Sequence, residues 1–166
     1  MYSIISGTNR RGSNTIKVAE KYQEILKSKG IDSHLITLEG LDLVERNDSI
    51  RELEDDYLVP SEKIIFVSPE YNGSIPGVLK TLIDNSDIEK VWKGKKALLV
   101  GVSSGRAGNL RGMEHLTGIL HYVKMIVYHN KLPISMIGKL TNDQGEIIDE
   151  ATLGAINYQI DEFIDF

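Results

Sequence analysis

The sequence predicts a single domain with a doubly wound α/β fold, in which a parallel sheet lies between two layers of helices. Two observations carry this prediction. Short β-branched runs and amphipathic helical patterns alternate five times along the chain, which is the arrangement that builds a parallel sheet. The length of 166 residues is that of one domain, and no stretch has the composition of a linker. We therefore expect one domain over residues 1–166.

The first three elements form a βαβ unit. A β-branched strand is predicted at Tyr2–Ser6, and a helix over residues 16–29 follows, with apolar positions at helical spacing and Gly30 at its end. A second strand is predicted over residues 34–38. Because crossovers between parallel strands are right-handed, these two strands are expected to be neighbours in the sheet.

Residues 39–60 have the weakest pattern in the chain. Leu41, Leu43 and Val44 suggest a short apolar turn, and residues 48–57 are compatible with a helix or with an acidic excursion. Acidic side chains dominate this stretch, so we expect mainly a solvent-exposed connection.

The second half of the chain repeats the alternation of strand and helix. Its first strand is apolar almost throughout, as in a central strand that is covered on both faces. The strands are predicted over residues 63–68, 96–102 and 125–128, and the helices after Pro76 and over residues 110–121 and 150–163.

Three of the predicted strands end in loops rich in glycine or polar residues. These are the first, third and fourth strands, whereas the second strand has no such loop. In doubly wound sheets, ligands bind outside the carboxyl ends of the strands, where the strand order reverses. The asymmetry therefore predicts one bound cofactor that spans the first, third and fourth strands.

The loop after the first strand, residues 6–15, has the composition of a phosphate-binding loop. Its two glycines allow tight turns, and the helix that follows directs free N–H groups and its positive end at the loop. The side chains suited to an anion are those of Thr8, Arg10, Arg11, Ser13 and Thr15. None of them is a strong nucleophile or base, so the loop is predicted to bind and not to react.

Better-known phosphate loops do not match this one. Ser13 and Asn14 stand where a Walker loop has Lys and Ser or Thr, and Asn9 replaces the second Gly of the dinucleotide fingerprint. A site for a monophosphate remains, for which a flavodoxin-like fold is the natural host. The alternative is a plain strand-to-helix connection that Ser13 caps.

Composition excludes several other classes of function. The chain has no cysteine, so disulfides, thiolate metal sites and cysteine nucleophiles are ruled out. A formal charge of -5 argues against general binding of nucleic acid. The four histidines have no ligand spacing and the Gly-x-Ser-x-Gly pattern is absent, so we expect neither a metal site nor a hydrolase. The first residues lack the pattern of a signal peptide, and a cytoplasmic location is the expectation.

Three motifs resemble those of the NADPH-dependent FMN reductase family, which includes flavin, quinone, azo-dye and chromate reductases. The first is Gly7-Thr8-x-Arg10-x-x-Ser13-x-Thr15, and the third is Ser103-Ser104-Gly105-x-x-Gly108. The second and most specific is Pro69-Glu70-Tyr71-Asn72-Gly73-Ser74-Ile75-Pro76-Gly77. The resemblance implies a flavodoxin-like fold with a five-stranded parallel sheet in the order 2-1-3-4-5 and helices on both faces.

The resemblance also implies how FMN would be held, without a covalent bond. The phosphate would lie on Thr8, Arg10, Ser13, Asn14 and Thr15. The isoalloxazine would be lined by Pro69, Glu70, Tyr71, Asn72 and Gly73, with Tyr71 shaping the ring pocket. The loop with Ser103, Ser104, Gly105 and Gly108 would close the other edge of the ring.

The function implied by the resemblance is that of an oxidoreductase that passes hydride from NAD(P)H through FMN to a small acceptor. Flavin N5 carries the hydride, so no catalytic side chain is expected. The alternative is an electron carrier or FMN-binding module without NAD(P)H activity. The family usually forms homodimers or dimers of dimers, and members often carry a bulky residue soon after the position of Asp84, where Asn85 and Ser86 stand here.

Overall fold

The computed structural model describes residues 1–166 and contains one parallel sheet with helices on both faces. Its strands are β1 (Tyr2–Ser6), β2 (Ser33–Thr37), β3 (Lys63–Pro69), β4 (Lys96–Val102), β5 (Ile126–Val127) and β6 (Leu132–Ile134). Their order is β2-β1-β3-β4-β5, and β6 also pairs with β4. The predicted flavodoxin-like fold with strand order 2-1-3-4-5 is therefore confirmed.

Five α-helices connect and cover the strands. They are α1 (Asn14–Ser28), α2 (Asp48–Leu53), α3 (Gly77–Asn85), α4 (Leu110–Tyr122) and α5 (Glu150–Asp165). Short π-helical turns follow α2 and α3 at Glu54–Leu58 and Ile88–Trp92, and a 3-10 turn lies at Ile137–Lys139. None of the helices combines the length and the apolar character needed to cross a membrane.

The core consists of one apolar layer on each side of the sheet. In β3, Ile64 and Phe66 pack in the layer with α2, α3 and α4, whereas Ile65 and Val67 pack in the layer with α1 and α5. All four side chains are completely buried. Successive side chains of a strand point to opposite faces, so the continuous apolar run predicts a strand that is covered on both sides.

The last strand differs from the expectation of one segment over residues 125–128. It is divided into two short strands, β5 and β6, and the side chain of a buried glutamine in α5 makes hydrogen bonds to the backbone where the strand is interrupted. Gln159 Nε2 donates to Leu99 O at 3.2 Å and to Asn130 O at 2.7 Å, and its Oε1 accepts from Tyr22 Oη at 2.5 Å. Gln159 thus replaces a hydrogen bond that the sheet lacks at this edge, because a buried carbonyl requires a donor.

Residues 39–60 are mainly solvent-exposed, as expected, but four apolar side chains of this stretch enter the core. Leu43, Ile50, Leu53 and Leu58 are buried in the layer that contains α3 and α4. Their spacing does not follow one regular helix, because the α-helix changes to a π-helical turn after Leu53. Because acidic residues lie between these apolar positions, the sequence pattern does not indicate that they are buried.

A buried carboxylate attaches this segment to the end of α3. Glu54 is 3% exposed and accepts two hydrogen bonds from Arg46, at 2.7 and 2.6 Å. Its Oε1 also accepts from the backbone N–H of Asp87 at 2.7 Å. The pair is bidentate and has an additional donor, which is the condition under which a buried ion pair is tolerated.

Asn85 makes a second connection between the same two parts. Its Nδ2 donates to Leu43 O at 2.7 Å and to Val44 O at 3.1 Å, and Arg46 Nη1 donates to Asn85 O at 2.8 Å. Asn85 therefore holds residues 43–46 in place.

We predict that Arg46→Met lowers the free energy of unfolding by about 2 kcal/mol, because it leaves the Glu54 carboxylate buried without its cation. Urea unfolding measures this value. Arg51→Met is the matched control, since Arg51 pairs with Asp48 on the surface, and a loss below about 0.5 kcal/mol is expected. Equal losses in the two variants would contradict the role of Glu54. The double variant with Glu54→Gln should recover part of the loss.

Candidate functional site

The loops that follow β1, β3 and β4 meet at the carboxyl edge of the sheet, as the sequence predicts. They line a cleft of about 280 Å³. The residues at its surface are Arg10, Arg11, Ser13, Asn14, Thr15, Pro69, Glu70, Tyr71, Val102, Ser103, Ser104 and Ile137. Nine of the predicted site residues are in this set, and Thr8, Asn72, Gly73, Gly105 and Gly108 are not.

The first loop presents unpaired backbone donors at the start of α1. Ser13 caps the helix through Oγ, which accepts from Ile16 N at 3.3 Å, and Gly12 has a φ of +61°. The N–H groups of residues 11–15 donate no hydrogen bond within the chain. Such a group of donors at a positive helix end is suited to an anion. Ser13 is thus a helix cap, as the alternative proposed, within a loop that also presents free backbone donors.

The side chains of Thr8 and Tyr71 connect the first loop with the second. Their hydroxyl oxygens lie 2.6 Å apart, and Thr8 Oγ1 also accepts from Arg10 N at 3.2 Å. The Arg10 guanidinium lies over the Tyr71 ring, 4.2 Å from its centroid. Thr8 is 2% exposed, so it lies beneath the surface of the cleft.

The second loop is a tight turn with Asn72 and Gly73 at its tip. Tyr71 N donates to Ser74 O at 2.9 Å, and Ser74 N donates to Tyr71 O at 3.1 Å. Asn72 and Gly73 have φ values of +52° and +77°, as a type I′ turn requires. Their N–H groups donate no hydrogen bond within the chain and are available to a ligand.

The third loop is held by the side chain of its first residue. Ser103 Oγ donates to Gly105 O and accepts from Gly108 N, both at 2.9 Å. Gly108 has a structural role, because a Cβ atom there would lie 2.6 Å from Pro133 Cβ. Gly108 is not among the residues that line the cleft, whereas Ser103 and Ser104 are.

Asn109 is a residue of the site region that the sequence prediction missed. It is fully buried, and its Nδ2 donates to Ser68 O at 2.9 Å and to Pro69 O at 3.0 Å. It therefore fixes the end of β3 against the start of α4. Its φ of +63° lies in the left-handed region, which Asn adopts more readily than most residues. The one available signal was the Gly-Asn pair directly before a helix.

Besides backbone groups, the cleft presents hydroxyl side chains, two guanidinium groups and the carboxylate of Glu70. Nowhere in the chain do three or more His, Asp or Glu side chains lie close enough to hold a metal ion. The cations beside the first loop are Arg10, which stacks on Tyr71, and Arg11, which pairs with Glu39 at 3.2 Å on the surface. The arrangement can bind an anionic group at one end and a planar group between the other two loops.

Residues 3–138 match the model of the NADPH-dependent FMN reductase family. The chain belongs to this family. The resemblance of the three motifs is thereby confirmed, and the family name agrees with the expected FMN cofactor, the expected NAD(P)H reductant and the expected class of oxidoreductases.

Several relatives are similar to the chain over part of their length. An NAD(P)H-dependent FMN reductase of Pseudomonas aeruginosa is 33% identical over 105 residues, which are 60% of this chain and 56% of the relative. A quinone reductase of Escherichia coli is 33% identical over 112 residues, or 64% of this chain and 58% of the relative. A 2-hydroxy-1,4-benzoquinone reductase of Burkholderia sp is 27% identical over 110 residues, or 64% and 60%. The match thus spans less than two thirds of these relatives.

Solved structures confirm the fold over nearly the whole chain. The flavoenzyme NAD(P)H:(acceptor) oxidoreductase FerB of Paracoccus denitrificans superposes with a TM-score of 0.84 at 24% identity, covering 99% of this chain and 94% of FerB. An archaeal flavodoxin superposes with a TM-score of 0.69 at 19% identity, covering both chains completely. Because an enzyme and a flavodoxin share this fold, the fold alone does not distinguish a reductase from a carrier.

We predict that Asn109→Ala lowers the free energy of unfolding by about 3 kcal/mol and Asn109→Gly by about 2 kcal/mol. Both variants leave the Ser68 and Pro69 carbonyls without their donor, but only alanine is strained at positive φ. Urea unfolding of the two variants measures the difference. If glycine were no better tolerated than alanine, backbone strain at this position would be excluded as a cause.

Proposed function

We propose that the chain is an FMN-dependent NAD(P)H oxidoreductase that reduces a small acceptor such as a quinone or a flavin. We further propose that residues 1–166 form one FMN-binding domain and act in the cytoplasm. The observation that carries the proposal is the group of unpaired N–H donors at residues 11–15, beside Arg10 and at the edge where three loops meet. The family match supports a reductase over a carrier.

The residues present are suited to FMN at both of its ends. The first loop offers free N–H groups and a guanidinium to the phosphate, whose two negative charges the positive end of α1 also favours. The second and third loops offer backbone N–H groups to the polar edges of the ring. Bound FMN would supply the hydride chemistry, which side chains of this protein cannot supply.

The chain's own residues would bind the cofactor, orient it and leave one face open. Pro69 and Tyr71 lie on the side of β3, and Ser103 and Ser104 on the side of β4. The N–H groups of Asn72 and Gly73 project from a rigid turn, so they need little reorganisation to stabilise negative charge at a ring edge. Donor and acceptor would use the same open face in turn.

The first test is the visible spectrum of the purified protein with FMN, followed anaerobically after addition of NADPH or NADH. Bleaching of a protein-bound flavin band by either nicotinamide is expected for a reductase. A bound flavin that only dithionite bleaches would indicate the carrier instead. If no flavin binds at micromolar protein, the proposed cofactor is wrong.

We predict that Ser13→Asp weakens FMN binding at least about 100-fold, because a carboxylate at the first loop repels the phosphate. Asp caps a helix as well as Ser does, so the fold should be retained. Fluorescence titration with FMN measures the affinity. Asn47→Asp is the matched control, since Asn47 caps α2 in the same way outside the cleft. Similar affinities for the wild type and Ser13→Asp would contradict a phosphate site.

We also propose that the chain forms a homodimer, or a tetramer of two such dimers, through the groove between α3 and α4. Ile83, Ile119 and Val123 line this groove, and the side chain of Tyr122 is 83% exposed at its edge. The rim contains charges of both signs, including the Lys80–Asp84 pair, which suits a self-complementary contact. The groove also continues to the second loop, because His115 Nδ1 at its rim lies 2.9 Å from Ser74 Oγ.

We predict that Ile119→Glu converts the dimer to a monomer, because a carboxylate would be buried at the centre of the contact. Sedimentation velocity measures the mass of the particle. Ile148→Glu is the control, since Ile148 is 59% exposed and its neighbour Ile147 packs in the layer with α1 and α5, on the opposite side of the sheet from α3 and α4. A wild-type protein that sediments as a monomer at all concentrations would overturn the proposed dimer.

A further inference from the structure

Tyr71 belongs to both halves of the proposed site, although the sequence assigned it to the ring pocket. Its backbone closes the turn whose tip carries Asn72 and Gly73, through hydrogen bonds with Ser74 in both directions. Its side chain extends away from that turn to the first loop. There its hydroxyl lies 2.6 Å from Thr8 Oγ1, and its ring lies 4.2 Å beneath the Arg10 guanidinium. One residue therefore connects the loop for the phosphate with the loop for the ring.

The hydroxyl pair retains one hydrogen-bond donor in either orientation. If Tyr71 donates to Thr8, the hydroxyl hydrogen of Thr8 remains, and if Thr8 donates to Tyr71, the phenolic hydrogen remains. Thr8 Oγ1 also accepts the N–H of Arg10, which orders the first loop around the pair. A spare O–H donor thus lies beside a guanidinium and next to the free N–H groups of residues 11–15. Donors of this kind are satisfied by an anion's oxygen.

We propose that Tyr71 determines specificity for the 5′-phosphate of the flavin, acting through Thr8 and Arg10, so that the chain selects FMN over riboflavin. The inference rests on the proposed FMN site and adds to it the residue that recognises the phosphate from the ring loop. The same residue closes the turn at Asn72 and Gly73, so it fixes the position of that turn relative to the first loop.

The test is the affinity of Tyr71→Phe for FMN and for riboflavin, measured by quenching of flavin fluorescence. Phenylalanine retains the ring beneath Arg10 and removes only the hydroxyl. We expect FMN binding to weaken about tenfold and riboflavin binding to change less than twofold. The affinity of the variant for inorganic phosphate, measured by competition with FMN, should fall correspondingly. Tyr57→Phe is the control, because Tyr57 lies in the π-helical turn after α2 and lines neither the cleft nor the groove between α3 and α4.

A double-mutant cycle with Thr8→Val tests whether the two hydroxyls act as a unit. If they do, the double variant binds FMN no more weakly than the worse single variant. Equal losses for FMN and riboflavin in Tyr71→Phe would overturn this proposal, as would unchanged affinity for both, because either result removes the link to the phosphate. A wild-type protein that binds no FMN would overturn the proposed function itself. The results for Tyr71→Phe described above would overturn only the role of Tyr71, so the two failures are distinguishable.

Discussion

The burial of β3 on both faces is the constraint on which the rest of the structure depends. Ile64, Ile65, Phe66 and Val67 are completely buried, so each face of this strand requires a helical layer. The layers can be supplied only by crossover helices, which keep the neighbouring strands parallel. Parallel strands have their carboxyl ends at one edge, and this brings the loops after β1, β3 and β4 together. The location of the cleft is thus a consequence of how the core is covered.

Within the cleft, side chains mainly hold the loops in shape, and backbone groups remain free for a ligand. Ser103 Oγ bonds within its own loop, and Asn109 Nδ2 bonds the end of β3. Thr8 and Tyr71 bond each other. The N–H groups of residues 11–15 and of the Asn72-Gly73 turn have no partner within the chain. A site of this kind is preorganised, because its donors are directed by a framework that does not have to rearrange.

The segment between β2 and β3 shows how a surface-like sequence is used to complete the core. Its leucines and Ile50 pack in the layer on the side of α3. The Glu54 carboxylate accepts hydrogen bonds from Arg46 within the segment and from the backbone N–H of Asp87 after α3. Asn85 contributes two further hydrogen bonds, to the carbonyls of Leu43 and Val44.

The alternation of strands and helices and the three loops could be predicted from the sequence alone, because they depend on local periodicity and on residues adjacent in the chain. Nine of the predicted site residues line one cleft for the same reason. The strand order was implied by the resemblance to the family. Four features were decided by tertiary contacts: the burial of the apolar side chains between Leu43 and Leu58, the interruption at Gln159, the clamp at Asn109 and the bond between Thr8 and Tyr71. Each feature joins residues that are distant in sequence or buries a polar group. The free-energy cost of burying such a group is offset only by a hydrogen bond to a particular partner. A local pattern contains no information about that partner, so these features were available only from the folded structure.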